Sequence, residues 1–372
     1  MTIETTPKDI DKLFQLMVKH DASDLHLKVG SPPILRIAGS VRELDSPPLK
    51  TAEIRHLLYQ ILTEEQIAGF EGSGNMDFAY GIPGVGRFRI NAYRQRGSIS
   101  IAARKVNVRI PSFTELNLPD APMQRIAKMH QGMVIVAGVT GSGKSTSLAS
   151  IIDYINDTRR CHIITVEDPI EYLYTDKKSF INQREVGIDV GGFHEALRYL
   201  VRQDPDVILI GEMRDQESFG VALTAAETGH LVFCTLHSST VPQTISRILD
   251  LFPTEQAPAI RKMLTFNLRA IICQKLLPSI HKDFSRVPTT EIMICNATTA
   301  KLIAEERDEK IGEYIRSVGD DENHDFNQSL HKLITNGLVS KKVGMAVSNN
   351  AEQLEMMLRG IKLSQDRGIL NT

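Results

Sequence analysis

The spacing of apolar residues gives the chain three rhythms. The first part mixes helical and strand periods. Residues 10–20 carry apolar positions at helical spacing, and Asp24-Leu25-His26-Leu27-Lys28-Val29 alternates at the strand period of two. After a turn at 30–33, strands are predicted over 34–38 and 40–44, hinged at Gly39. Proline-rich 46–49 leads into a helix with Thr51 as its expected N-cap and Glu53 in its first turn. In Arg87-Phe88-Arg89-Ile90-Asn91-Ala92-Tyr93 polar and apolar residues alternate, so Arg87 and Arg89 share one face of a strand, and 98–106 is the next strand. Residues 1–106 read as a small α+β domain.

A linker is expected at 107–120, broken by Pro111 and Pro119. In 121–280 short apolar runs at 133–137, 162–166, 206–210 and 231–235 alternate with helical stretches at 144–157, 193–202 and 215–228. That order predicts an α/β fold with a mainly parallel sheet and helices on both faces. Ligands of such sheets bind at the carboxyl ends of the strands, where all the motifs below are expected. Beyond Pro253 the pattern reads as helical through 257–277, 298–306, 325–335 and 351–361, so 281–372 is expected to be a mostly helical region. The charge run Glu305-Glu306-Arg307-Asp308-Glu309-Lys310 is expected on a solvated helix face.

Composition narrows the class. At 372 residues, 42% hydrophobic and 24% charged, this is an ordinary globular chain of two or three domains. Forty-three Lys+Arg against 45 Asp+Glu leave a net charge of -2, so nothing in the overall charge argues for nucleic acid. Four scattered cysteines, with no CxxC pair, are expected to be buried free thiols in a reducing compartment. The polar residues 1–11 lack the apolar segment of a signal peptide, and no apolar run approaches a membrane span, so a cytoplasmic protein is expected.

The chemistry begins at Gly138-Val139-Thr140-Gly141-Ser142-Gly143-Lys144-Ser145, followed by Thr146. The stretch fits Gly-x-x-x-x-Gly-Lys-(Ser/Thr) and stands between an apolar strand and a helix, the context that pattern requires. Backbone N–H groups and the helix's positive end would cradle phosphates, Lys144 would bridge β- and γ-phosphate, and the Ser145 hydroxyl would ligate Mg²⁺. Glu167-Asp168-Pro169-Ile170-Glu171 follows the next strand, where carboxylates can hold a Mg²⁺ water shell or orient water. Asp206-Val207-Ile208-Leu209-Ile210-Gly211-Glu212 is a third strand ending in an acid, and Glu212 is the candidate for positioning and deprotonating the lytic water. His230 and His237 bracket the last core strand, where phosphate sensing and a hydrogen-bonded structural role both fit.

Together these motifs resemble the secretion-superfamily ATPases of type IV pili, most closely the twitching-motility retraction ATPases. Ala22–Leu27 with Gly30–Pro33 resembles their N-terminal signature, Gly86–Tyr93 their arginine strand, Gly138–Ser145 their Walker A, Ile164–Tyr172 their Asp box, Asp204–Asp215 their Walker B and Thr224–His237 their His box. The resemblance implies a PAS-like N-terminal domain joined to a RecA-like ATPase core, with ATP and Mg²⁺ bound between the two. It implies a homohexameric ring that acts on an inner-membrane platform protein to extract pilins. A paralogous retraction ATPase is a further implied partner, and association with the cytoplasmic face of the inner membrane would run through partners. Lys144, Ser145 and Glu212 take the Walker roles, Glu167, Asp168 and Glu171 the Asp box, with Asp168 expected at the metal, and His230 and His237 the His box. Arg87, Arg89 and Arg104 match the N-domain arginines that reach the phosphates.

Behind the core the likeness weakens. Thr298–Glu306 keeps a Leu-Ile step of the family's C-terminal helix but lacks its arginines, so a retraction motor and an accessory paralogue both remain open. An assembly or type II secretion ATPase is a further alternative. The early position of the N-terminal signature and the lack of a cysteine cluster weigh toward retraction. From another class, an ATP-binding switch or scaffold would need no turnover, and Glu212 weighs against it.

Overall fold

The computed structural model describes residues 8–37, 39–318 and 322–361. Residues 1–7 of the expected polar N-terminus, the last residue of the strand expected over 34–38, and 362–372 of the expected helical region lie outside these. The chain divides into two compact units, Met1–Val108 and Arg109–Thr372.

In the first unit, α1 (Asp9–Lys19) precedes β1 (Asp24–Lys28), β2 (Ile34–Ile37) and β3 (Ser40–Glu43). Then come α2 (Thr51–Tyr59), α3 (Glu64–Ser73), β4 (Asn75–Ile82), β5 (Gly86–Gln95) and β6 (Ser98–Lys105). The strands form one antiparallel sheet in the order β3-β2-β1-β6-β5-β4. Alternation sorts its residues: Leu25, Leu27, Phe88, Ile90 and Ala103 turn inward onto Phe14 and Ile54 of the helices. The other face carries Asp24, Arg89 and Arg104, which the register sets side by side. Two expectations change here. Thr51 lies inside α2 rather than capping it; Lys50 holds the cap position and donates its N–H to Glu53 Oε2 at 2.6 Å. The pair α3–β4 was not anticipated, although Thr63 and Gln66 form a capping box at the start of α3.

The second unit opens with α4 (Asp120–Ala127), β7 (Gly132–Ala137), α5 (Lys144–Thr158), β8 (His162–Glu167) and β9 (Phe180–Glu185). It continues through α6 (Phe193–Leu200), β10 (Val207–Ile210), α7 (Gln216–Glu227), β11 (Leu231–Leu236), α8 (Val241–Leu249) and α9 (Ala257–Asn267). Next come β12 (Leu268–Pro278) and β13 (Arg286–Ile294), then α10 (Ala297–Ala304), α11 (Glu309–Val318), α12 (Phe326–Thr335), α13 (Lys341–Val347) and α14 (Ala351–Leu358). The seven-stranded sheet has the order β13-β12-β7-β11-β10-β8-β9 and is parallel except between β12 and β13. One face packs Ile135, Ile164, Ile210 and Val232 against α6 to α9; the other packs Val134, Ile163, Leu209 and Phe233 against α4 and α5. Each such fully buried side chain contributes roughly 1.5–3 kcal/mol.

Three corrections concern this unit. The helix expected over 257–277 ends at Asn267, and its second half is the long strand β12. The charge run at 305–310 lies across the break between α10 and α11, with Glu306 at φ 59°, and Asp308 there pairs with Arg261 at 2.8 Å. All four cysteines are free as expected, but only Cys234 and Cys273 are fully buried; Cys161 and Cys295 are half-buried. Among the described residues no helix is long and apolar enough to cross a membrane.

Candidate active site

The glycine-rich loop sits where a strand hands over to a helix. β7 ends at Ala137, and the loop runs from Gly138 to Gly143, the N-cap of α5. Gly143 has φ 89°, in the left-handed region that glycine enters without a Cβ clash. The first turn of α5, opened by Lys144 and Ser145, presents unpaired N–H groups and the positive end of the helix dipole. Lys144 Nζ donates to the carbonyls of Gly138 (2.8 Å) and Val139 (3.1 Å). Burial lowers the Lys144 pKa, and the charges of Glu212 and Glu171 oppose that shift.

A cleft of about 340 Å³ opens at this end of the sheet. Thr140, Gly141, Lys144 and Ser145 line it from the loop; Glu167, Asp168 and Glu171 line it from the end of β8. Glu212 and His237 join them, just beyond the ends of β10 and β11. Because β7, β8, β10 and β11 run parallel, their carboxyl ends gather at one edge, and so do the groups that follow them. Thr146 does not line the cleft; its hydroxyl stands 3.0 Å from that of Tyr172, which does.

Glu212 is held from two sides. Arg214 Nη2 donates to its Oε2 at 2.6 Å, and His237 Nε2 stands 3.0 Å from its Oε1. The Arg214 hydrogen bond, helped by the charges of Arg214 and His237, keeps the Glu212 pKa below the usual glutamate value against the opposing effect of burial. Glu167 goes the other way. Burial raises its pKa although Thr165 Oγ1 (2.7 Å) and Gln183 Nε2 (3.2 Å) both donate to its Oε1. One cleft therefore holds a carboxylate stabilised as the anion beside one that takes up a proton more readily. A Cβ at Gly211 would stand 3.3 Å from Glu167 Cα, so glycine there lets the ends of β10 and β8 approach closely.

Residues 3–367 match the family model described as type II/IV secretion system protein. The chain belongs to that family. It is 41% identical over 334 residues to the type IV pilus retractation ATPase PilT of Pseudomonas aeruginosa, an alignment that spans 90% of this chain and 96% of PilT. It is 34% identical over 351 residues to the type IV pilus ATPase PilU of the same organism, covering 94% of this chain and 91% of PilU. The crystal structure of the pilus retraction motor PilT with bound ADP superposes with a TM-score of 0.86 at 43% identity, over 95% of this chain and all of that one.

Within this secretion-family fold the expected site residues do not all meet. His230 lies at the amino end of β11, outside the cleft, against the expectation that every motif stands at a carboxyl end; its Nδ1 is 2.9 Å from the Ala225 carbonyl. A six-residue strand at about 3.3 Å per residue separates it from His237. Arg87, Arg89 and Arg104 belong to the first unit. Arg89 is exposed there, whereas Arg104 Nε donates to Asp24 Oδ1 at 2.8 Å. Residues in contact with site groups to which the sequence assigns no role include Arg214, which stands within the Walker B stretch, and Gln183, on the unanticipated strand β9. An arginine two residues after the acid of such a strand was a usable signal, since local spacing alone brings it within reach.

Proposed function

We propose that this ATPase is a ring-forming motor that couples Mg·ATP turnover to type IV pilus retraction at the cytoplasmic face of the inner membrane. Its partners in this reading are further copies of itself in a hexamer, a membrane platform protein and a paralogous ATPase. The observation that carries the reading is the convergence of Lys144, Ser145, Glu212 and His237 on one cleft, in a chain alike to PilT along nearly its whole length.

In this mechanism the loop amides and Lys144 hold the phosphates. Ser145 and Asp168 offer hydroxyl and carboxylate oxygens, the hard donors that suit Mg²⁺, whose chemistry when bound is to neutralise phosphate charge. Glu212 orients the attacking water, with His237 fixing its second oxygen. Arg214 limits its strength as a base, so proton acceptance requires that contact to loosen. Arg87 and Arg89, on one face of β5, add positive charge at the transition state when the ring closes on nucleotide.

The test is fluorescence imaging of labelled pili in a strain lacking this gene. Pili that extend but do not retract, with retraction restored by the wild-type gene and not by Glu212→Gln, are the expected result. A strain without pili would move the protein to assembly instead.

A further inference from the structure

The underside of the phosphate loop is fastened by a side chain from the strand next door. β12 runs parallel to β7 with Cys273 opposite Ala137, so Gln274 comes alongside the start of the loop. Gln274 is 3% exposed, and its amide is satisfied at both ends. Nε2 donates to the Ser142 carbonyl at 2.7 Å, and Oε1 accepts from the Ser147 hydroxyl in the first turn of α5, also at 2.7 Å. The fit is close on both flanks. A Cβ at Gly138 would stand 2.5 Å from the Gln274 carbonyl oxygen, and one at Gly143 would stand 2.8 Å from Gln274 Nε2.

We propose that Gln274 is a positioning residue for nucleotide binding: by holding the Ser142 carbonyl it aims the Gly143 amide at phosphate. A trans peptide is planar, so its C=O and N–H point in opposite directions. Fixing the Ser142 carbonyl toward β12 turns the Gly143 N–H away from β12, and β11, β10 and β8, whose ends carry the cleft, lie on that other side of β7. The Ser147 hydroxyl occupies the amide's oxygen end and leaves its nitrogen for the loop. Buried polar links satisfied in this way favour one geometry over its neighbours. Without the link, the loop must select the phosphate-binding conformation each time a nucleotide arrives, and affinity falls by the fraction of time it is absent. Gln274 touches neither nucleotide nor water in this role. The inference rests on residues 138–145 being the phosphate loop.

The test compares full-length wild type with Gln274→Met, Gln274→Glu and Ser147→Ala, using a fluorescent ADP analogue for affinity and steady-state ATP hydrolysis for KM and kcat. Met keeps the length and loses both bonds, while Glu keeps the acceptor for Ser147 and places an anion against the Ser142 carbonyl. Both are expected to bind ADP roughly tenfold more weakly or worse, with KM rising by more than kcat falls. Ser147→Ala spares the loop carbonyl and is expected to stay within about threefold of wild type. ADP affinity within about twofold of wild type in folded Gln274→Met would overturn the proposal, as would a fall in kcat at unchanged KM. If neither Gln274 variant folds, the role is structural and the proposal fails. Failure of wild type itself to bind ADP would overturn the phosphate-loop reading rather than this inference.

Discussion

The two sheets of this molecule place their charged groups in opposite ways. The seven-stranded sheet is covered on both faces, so its central strands β7, β11, β10 and β8 are largely apolar, and the polar groups of the cleft collect beyond their carboxyl ends. The six-stranded sheet buries one face only, and Asp24, Arg89 and Arg104 stand in a row across the other. A site at strand ends is built from loops that backbone geometry holds in place. A site on a sheet face is built from side chains whose neighbours are set by register. The first kind can grip phosphate through amides; the second offers side-chain cations.

The largest expected effect that separates the two sheets comes from Arg89→Ala. If the exposed face supplies transition-state charge, turnover falls on the order of 10³-fold while the melting temperature hardly changes. Unchanged turnover would leave the face without a catalytic part. The next effect lies in the covered sheet. Glu291 on β13 is 5% exposed, accepts from Val241 N at 2.6 Å, and burial raises its pKa from 4.5 to about 7. The folded state therefore favours its protonated form, and its contribution to stability is lost as pH rises from about 4.5 through about 7. Glu291→Gln is expected to match wild type at pH 4 and to exceed it at pH 8 by on the order of 1–3 kcal/mol in denaturant melts.

The smallest effect is Arg104→Ala, expected to cost about 1 kcal/mol because it takes a partner from the nearly buried Asp24. Burial works to raise the Asp24 pKa, but hydrogen bonds from Ser23 and Arg104 more than offset this and leave it lowered. Its contribution is therefore present above the ordinary 3.8 and lost as pH falls through the lower folded value, so the gap between wild type and variant should close in acid. A gap that persists there would assign the loss to packing of the arginine stem.

Legibility in the sequence followed the same division. The four central strands were readable because each apolar run is followed by a distinct helix or loop motif. β12 was not, since a fully buried strand has no period of two and Ala257–Asn267 runs into it without a break. That confusion hid Gln274, whose role depends on which strand lies beside β7. The place of Glu212 and Lys144 at one cleft was legible because each stands in a motif that follows a strand. The pairing of Arg104 with Asp24 depends on strand order, which spacing along the chain does not contain.

The central claim is that Glu212 acts on water at a cleft whose phosphate grip is independent of it. Steady-state ATP hydrolysis and ADP affinity of purified Glu212→Gln test this directly. The account predicts a loss of turnover of about 10²-fold or more with ADP affinity unchanged. Full turnover in that variant, or loss of binding together with turnover, would contradict it.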